Sequence, residues 1–327
     1  MDPRYATSPG HVLNRTGLIA TLDTTLPEYP SAHQTSLLTA AGVPVAQTWA
    51  RPASHPGHQR DQPGAAVTGC RNPGLEIADE RADHYLGLPG AHIVATDDLL
   101  MVRDNLADVL DAKAMMCAHG AAGLGKTLSV NASLRDLAPD AVCRIQFRAR
   151  PTPRDIRHVL FEALDIGGDP PAKPIEFDAV LKDALSQQFR VLVCDEAQWL
   201  SRECFEYWRH LWDDRRTDIA LVFVGGGDCY QVLRREPMLS SRVYVWQEFQ
   251  RLPREQVLRV IPAYHPVWER ADLEVIAFAD AHAGHGNFRS WAKITAHAVR
   301  ALQRLDRQAI DREVLGWVFS KLTGRTA

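Results

Sequence analysis

The stretch His119-Gly120-Ala121-Ala122-Gly123-Leu124-Gly125-Lys126-Thr127 decides how this chain is read. From Gly120 onward it fits G-x-x-x-x-G-K-[ST] at every position, and the spacing has a mechanical reason. Glycines let backbone N–H groups wrap around phosphates where a side chain would intrude. The lysine reaches the β- and γ-phosphates, and the final hydroxyl ligates Mg²⁺. The flanks agree: Ala114–Ala118 reads as a short buried strand, and Lys126–Leu137 as a helix whose N-terminus faces the phosphates. Gly120, Ala121, Ala122, Gly123, Leu124, Gly125, Lys126 and Thr127 are therefore the expected seat of a nucleoside triphosphate. Lys126 is expected on the phosphates and Thr127 on the metal.

Further along, Val191-Leu192-Val193-Cys194-Asp195-Glu196 supplies the second half of such a site. Its unbroken apolar run reads as a strand buried on both faces, and it ends in two carboxylates. Asp195 is expected to hold Mg²⁺, and Glu196 to polarise an attacking water. Both acids lie near the glycine loop if the two strands are neighbours. The paired acids favour hydrolysis by water over transfer to a small molecule.

The 327 residues can hold two domains and a sizeable core. Hydrophobic residues at 46% and charged ones at 24% are ordinary for a soluble globular protein. A net charge of −3 exerts no global pull toward nucleic acid or membrane, so any such contact must come from a local patch. The longest apolar runs, such as Ile219–Val224, fall well short of the ~20 residues that span a bilayer. The first residues lack a charged-then-apolar signal pattern, so a cytoplasmic protein with no membrane partner is expected. The six cysteines include no C-x-x-C pair, and Cys117, Cys143 and Cys194 fall in expected strands, where a thiol acts as a small hydrophobe. The H-x-x-H pairs His55/His58 and His282/His285 lack a second ligand pair and read as loop histidines.

Residues 1–90 hold ten of the 20 prolines and no lysine, and they sustain no periodicity. They read as an irregular arm, with short ordered pieces near Val12–Leu22 and Leu37–Val45. Asp97–Leu110 reads as a helix. Strands are then expected at Ala141–Phe147, Arg190–Cys194, Ile219–Val224 and Val243–Phe249. Between them lie helices at Pro153–Leu164 (capped by Thr152), Phe177–Gln187 and Ser201–Asp213. This alternation predicts an α/β fold with a parallel sheet of the doubly wound kind. Beyond Pro253 only helices are expected, at Arg254–Ala263, Asp272–Ala283, Phe288–Leu305 and Asp311–Leu322. The expected division is an arm at 1–90, an α/β nucleotide-binding domain at 91–252 and an all-helical domain at 253–327. Trp199, Tyr207, Trp208 and Trp212 have the spacing of one buried helix stripe.

Taken in order, Gly120–Thr127, Asp195-Glu196-Ala197-Gln198 and Gly286-Asn287-Phe288-Arg289 resemble the motifs of AAA+ ATPases. The D-E-A-Q box and the G-N-F-R motif are most similar to the ATPase subunits of DNA transposition systems, the TnsC, TniB and MuB type. The resemblance covers roughly residues 95–305. It implies ATP and Mg²⁺ as cofactors, a P-loop AAA+ sheet with a C-terminal helical lid, and assembly of several copies into a ring or filament. It also implies that Arg289 is the lid arginine on the γ-phosphate, an assignment suited to a helix-borne guanidinium that binds phosphate oxygens in pairs. Arg242, in Leu239-Ser240-Ser241-Arg242, stands where relatives place an arginine finger directed at the neighbouring subunit, with Arg235 as the runner-up. The chain departs from the family at Val224-Gly225-Gly226-Gly227-Asp228, where relatives often carry a polar residue that positions the water. That role stands empty unless Asp228 reaches in, which points to slow hydrolysis.

A basic run, Arg144, Arg148, Arg150, Arg154, Arg157 and His158, follows the second expected strand. Its bare reading is a solvated helix face. In DNA-handling relatives this region faces a central channel, so the resemblance implies that Arg148, Arg150, Arg154 and Arg157 contact duplex phosphates without reading sequence. The function implied is an ATPase that oligomerises on double-stranded DNA and regulates target selection by a transposase. An ExeA-like secretion ATPase and a nucleotide-gated signalling switch are the alternatives.

Overall fold

The structure is a computed structural model that describes residues 85–147 and 150–323. The expected arm, including its proposed ordered pieces, lies almost wholly outside the described residues.

Five strands form: Met115–Gly120 (β1), Val142–Ile145 (β2), Arg190–Cys194 (β3), Ile219–Val224 (β4) and Val243–Phe249 (β5). They make one sheet in the order β2-β3-β4-β1-β5, and every neighbouring pair is parallel. Parallel strands need crossovers, and helices supply them. Asp97–Asp111 (α1) precedes β1, and Lys126–Leu137 (α2) follows it. Pro153–Ala163 (α3) and Pro174–Gln187 (α4) lie between β2 and β3. Arg202–Trp212 (α5) leads to β4, and Cys229–Arg234 (α6) and Pro237–Ser240 (α7) lead to β5.

Alternation along the strands sorts the core into two layers. Met115, Cys117, Ile145, Leu192, Cys194, Leu221 and Phe223 face a cluster built with α3, α4 and α5. Met116, Ala118, Val191, Val193, Ala220 and Val222 face the other side, with residues of α1 and α2. Helices on both faces explain why β1, β3 and β4 are buried at every position. The cysteines at 117, 143, 194, 204 and 229 are buried and free.

Strands β1 and β3 are not neighbours, because β4 lies between them, yet Thr127 and Asp195 still meet. The glycine loop and the two acids therefore flank the carboxyl end of β4, which runs on into Gly225-Gly226-Gly227.

After β5 come Arg254–Tyr264 (α8), Pro266–Glu269 (α9), Leu273–Ala279 (α10), Phe288–Leu305 (α11) and Arg312–Thr323 (α12). They build a third core around Trp268 and Trp291, whose rings meet edge to face at 5.3 Å. The helix expected over 272–283 stops at Ala279 and widens into a π turn, Asp280–Gly284. Asp280 causes the change: its carboxylate accepts from Gly286 N–H at 2.8 Å and from the Trp291 indole at 3.0 Å. The helices missed in sequence, α6, α7 and α9, are too short to display a period. Among the described residues no helix is long and apolar enough to cross a membrane.

Candidate nucleotide site

The phosphate loop is shaped by Gly120, Gly123 and Gly125, with φ of 143°, 83° and 91°. At Gly123 a Cβ would lie 2.5 Å from Asn287 Oδ1 and 2.7 Å from Arg289 Cβ, so the loop's approach to the helical region excludes a side chain there. Gly125 precedes α2 without a side-chain cap, which leaves first-turn N–H groups of the helix open to an anion. The Lys126 ammonium donates to the carbonyls of Gly120 and Ala121, each at 2.8 Å. Burial pushes its pKa down, as does Arg289, while Asp195 and Glu196 oppose the shift.

Across the end of β4, Thr127 Oγ1 donates to Asp195 Oδ2 at 3.1 Å. Asp195 Oδ1 accepts the Glu196 N–H at 2.8 Å. Burial raises the Asp195 pKa, against these hydrogen bonds and the nearby Arg144 charge. A hydroxyl and a carboxylate in contact are the hard oxygen ligands Mg²⁺ prefers, so this pair fits the expected metal. Glu196 is exposed and sits at φ 54°, the left-handed region.

Sequence reasoning missed Gln198. Its Nε2 donates to Glu196 Oε2, and its Oε1 accepts the Gly226 N–H at 2.8 Å. Asp228, the residue considered for this position, is exposed and does not line the cavity, whereas Gln198 does. The signal was its place two residues after Glu196.

Lys126, Thr127, Asp195, Glu196 and Gln198 open onto one cavity of about 310 Å³, which also takes in Tyr85, His92, Val94, Leu99, Tyr264, Phe288 and Arg289. Its volume lies within the range of small-ligand sites, and its apolar side suits a nucleobase. The segment before α1 reaches it because His92 N–H donates to Tyr264 O at 2.8 Å. Arg289 enters from α11, its N–H on Gly123 O at 3.1 Å and its guanidinium over the Tyr85 ring at 5.2 Å. Of the apolar lining residues named, only Phe288 belongs to a motif, G-N-F-R; Tyr85, Val94, Leu99 and Tyr264 carried none. They converge only through the fold.

The remaining expected residues lie elsewhere. Arg242 pairs with Asp213 at 2.8 Å and also donates to Met238 O, away from its own subunit's cavity. Arg235 is exposed at the end of α6. Arg148 lies outside the described residues. Arg157 is held by Asp178 at 2.6 Å over the Tyr207 ring, and its side chain is only 15% exposed. It therefore leaves the solvent-facing basic set. Arg154 is exposed on α3, and Arg150 lies 5.5 Å from the ring of Trp199. Trp199 itself is 51% exposed, which corrects its place in a buried stripe: it sits on the short turn Ala197–Trp199 rather than on α5. His282 packs on Phe278 and Phe319, and the described residues contain no group of three potential metal ligands.

Residues 109–233 match the AAA domain family. Comparison with curated proteins finds no matching sequence. Among solved structures, the chain is similar to Cdc6p from Pyrobaculum aerophilum, at 16% identity and a TM-score of 0.57 over 72% of this chain and 69% of that one. It is similar to the Aeropyrum pernix Orc1 protein, solved in complex with DNA, at 18% identity and 0.54, over 69% of this chain and 64% of that one. A mutant of Thermotoga maritima RuvB gives 15% identity and 0.50, over 69% and 70%. What the chain shares with all three is architecture, the AAA+ P-loop fold.

Proposed function

We propose that this protein is an ATP-dependent, DNA-binding AAA+ ATPase that assembles on duplex DNA and regulates target selection by a transposase. The observation that carries the ATPase part is the contact of Thr127 with Asp195, at 3.1 Å, on a cavity shared with Lys126, Glu196 and Arg289. Bound Mg²⁺ would neutralise phosphate charge between Thr127 and Asp195. Lys126 exchanges the carbonyls of Gly120 and Ala121 for phosphate oxygens. Glu196 orients a water and takes its proton. Arg289 carries the state of the phosphates into the lid, the helical region beyond residue 253.

Arg242 serves a neighbouring subunit after giving up Asp213. Exposed ion pairs are worth about 0–1 kcal/mol, so the exchange costs little. DNA contact falls to Arg148 and to the exposed Arg150 and Arg154, and the DNA in the Orc1 structure of similar fold supports DNA binding as such. The transposase is supported by the D-E-A-Q and G-N-F-R motifs.

The test is sedimentation of the protein with and without duplex DNA, each with ATP, ADP or a slowly hydrolysed ATP analogue. Large assemblies that require both DNA and triphosphate are expected, and Glu196→Gln should hold them together. A species indifferent to DNA would leave the fold and remove the transposition reading.

A further inference from the structure

Strand β4 separates β1 from β3, so its carboxyl end stands between the phosphate loop and the acids. That end carries no side chain at Gly225, Gly226 or Gly227. Gln198 fills the space from the opposite side. Its single amide is used at both ends, accepting from Gly226 N–H at 2.8 Å and donating to Glu196 Oε2.

The fit depends on glycine. A Cβ at residue 225 would lie 2.7 Å from Gln198 Oε1 and 2.3 Å from Cys229 Sγ, and one at residue 226 would lie 3.5 Å from Gln198 Cδ. The Gln198 amide thus occupies the space a side chain at residue 225 would need, and it lies in ordinary contact with Gly226. Glu196 needs such a partner. It is a non-glycine residue in the left-handed region, where the backbone is disfavoured by roughly 1–2 kcal/mol, and its exposed side chain would otherwise move among rotamers.

We propose that Gln198 is a positioning residue: it orients the Glu196 carboxylate toward water and couples it to the end of β4. The proposal rests on the reading of Glu196 as the group that activates water. With Oε2 held by the amide, Oε1 is left to accept from that water. Any displacement of Gly225–Gly227 moves Gln198 and, through it, the carboxylate. The polar role expected at the end of β4 is thereby supplied from the D-E-A-Q turn.

Gln198→Ala and Gln198→Glu separate the two ends of the bridge. The glutamate variant keeps an acceptor for Gly226 N–H but loses the donor to Glu196. In the nucleotide-free full chain, amide hydrogen exchange of a peptide containing Gly226 should be faster in Gln198→Ala and unchanged in Gln198→Glu. In steady-state hydrolysis both variants should lose about 10- to 100-fold in kcat, as expected for a lost hydrogen bond to a charged group. KM and the affinity for a fluorescent ADP should stay within about twofold. Adding Gln198→Ala to Glu196→Gln should slow turnover no further, since the two act as one unit.

Wild-type kcat in Gln198→Glu overturns the proposal and leaves the ATPase reading standing, as does undiminished Gly226 protection in Gln198→Ala. A Glu196→Gln variant as active as wild type, or a wild-type chain that binds ADP but never hydrolyses ATP, overturns the reading of Glu196 and the proposal with it.

Discussion

The side-chain amide of Asn287 donates to the carbonyl of Ala122 at 2.9 Å, and its oxygen accepts the Ser290 N–H at 3.2 Å. One residue therefore caps α11 and ties the lid to the phosphate loop. Asn287→Ala should lose both, an N-cap of about 1 kcal/mol and a hydrogen bond of about 1 kcal/mol. The melting temperature should fall by roughly 4–8 °C, with nucleotide affinity reduced severalfold. Asn287→Asp retains the cap and loses the donor, so it should recover much of the stability and little of the affinity. Thermal denaturation beside fluorescent-ADP binding checks both.

Two glycines in the helical region should respond in opposite directions to alanine. Gly286 has φ 63°, and a Cβ there would stand 2.3 Å from the carbonyl oxygen of Leu252, whose N–H donates to Gly286 O at 3.0 Å. Backbone on both sides prevents relief, so Gly286→Ala should destabilise by about 2–3 kcal/mol. Gly316 lies within α12 with nothing within 4 Å of its Cβ position. Gly316→Ala should stabilise by about 0.5–1 kcal/mol, through helix propensity alone. Urea denaturation of the two variants measures the contrast.

The arginines around α3 should separate into structural and DNA-binding ones. Arg157 and Asp178 are 15% and 20% exposed, and Tyr207 OH also donates to Asp178 at 2.7 Å. These hydrogen bonds outweigh burial and hold the Asp178 pKa below its usual value. Arg157→Ala should cost about 2–3 kcal/mol of stability while leaving DNA affinity unchanged. Arg150→Ala with Arg154→Ala should leave the melting temperature within a degree or two of wild type. It should weaken duplex binding and lower the salt slope of the affinity by roughly one per arginine. Fluorescence anisotropy across a salt series is the measurement, and an unchanged slope removes these two from the interface.

His265 should make the protein sensitive to mild acid. Its Nδ1 accepts the Val267 N–H at 3.0 Å, and its Nε2 donates to Pro89 O at 3.0 Å, so the ring is neutral in the fold. Burial, followed by the His92 charge, pushes its pKa below 6.5 against the pull of the Pro89 carbonyl. The unfolded chain therefore takes up the proton first. The contribution of His265 is complete above about pH 6.5, falls as the pH drops toward the folded-state pKa, and levels off below it. His265→Asn keeps an acceptor near Nδ1 and does not titrate. Its melting temperature should fall less than that of wild type between pH 7.5 and 5.5.

Much of the fold was legible because local pattern and tertiary environment ask for the same residues. The strands Arg190–Cys194, Ile219–Val224 and Val243–Phe249 and the helices Lys126–Leu137 and Phe288–Leu305 fall where apolar runs and caps put them. Thr152 caps α3 in a reciprocal pair with Asp155, a motif complete within four residues. Local patterns failed where one long-range contact decides. Asp280 turns the end of α10 through Trp291, eleven residues away, and Trp199 shares aromatic spacing with α5 while lying outside that helix.

By itself the sequence determined the phosphate loop, the two acids and the parallel α/β class, because each is encoded within a short stretch by spacing, glycine content and burial. Only the tertiary structure decided that β4 separates β1 from β3, that Gln198 occupies the space a side chain at residue 225 would need, and that Arg157 is held by Asp178. The physical reason is the same in each case. Strand order and side-chain pairing depend on contacts between residues distant in the chain, and no local period or motif records them.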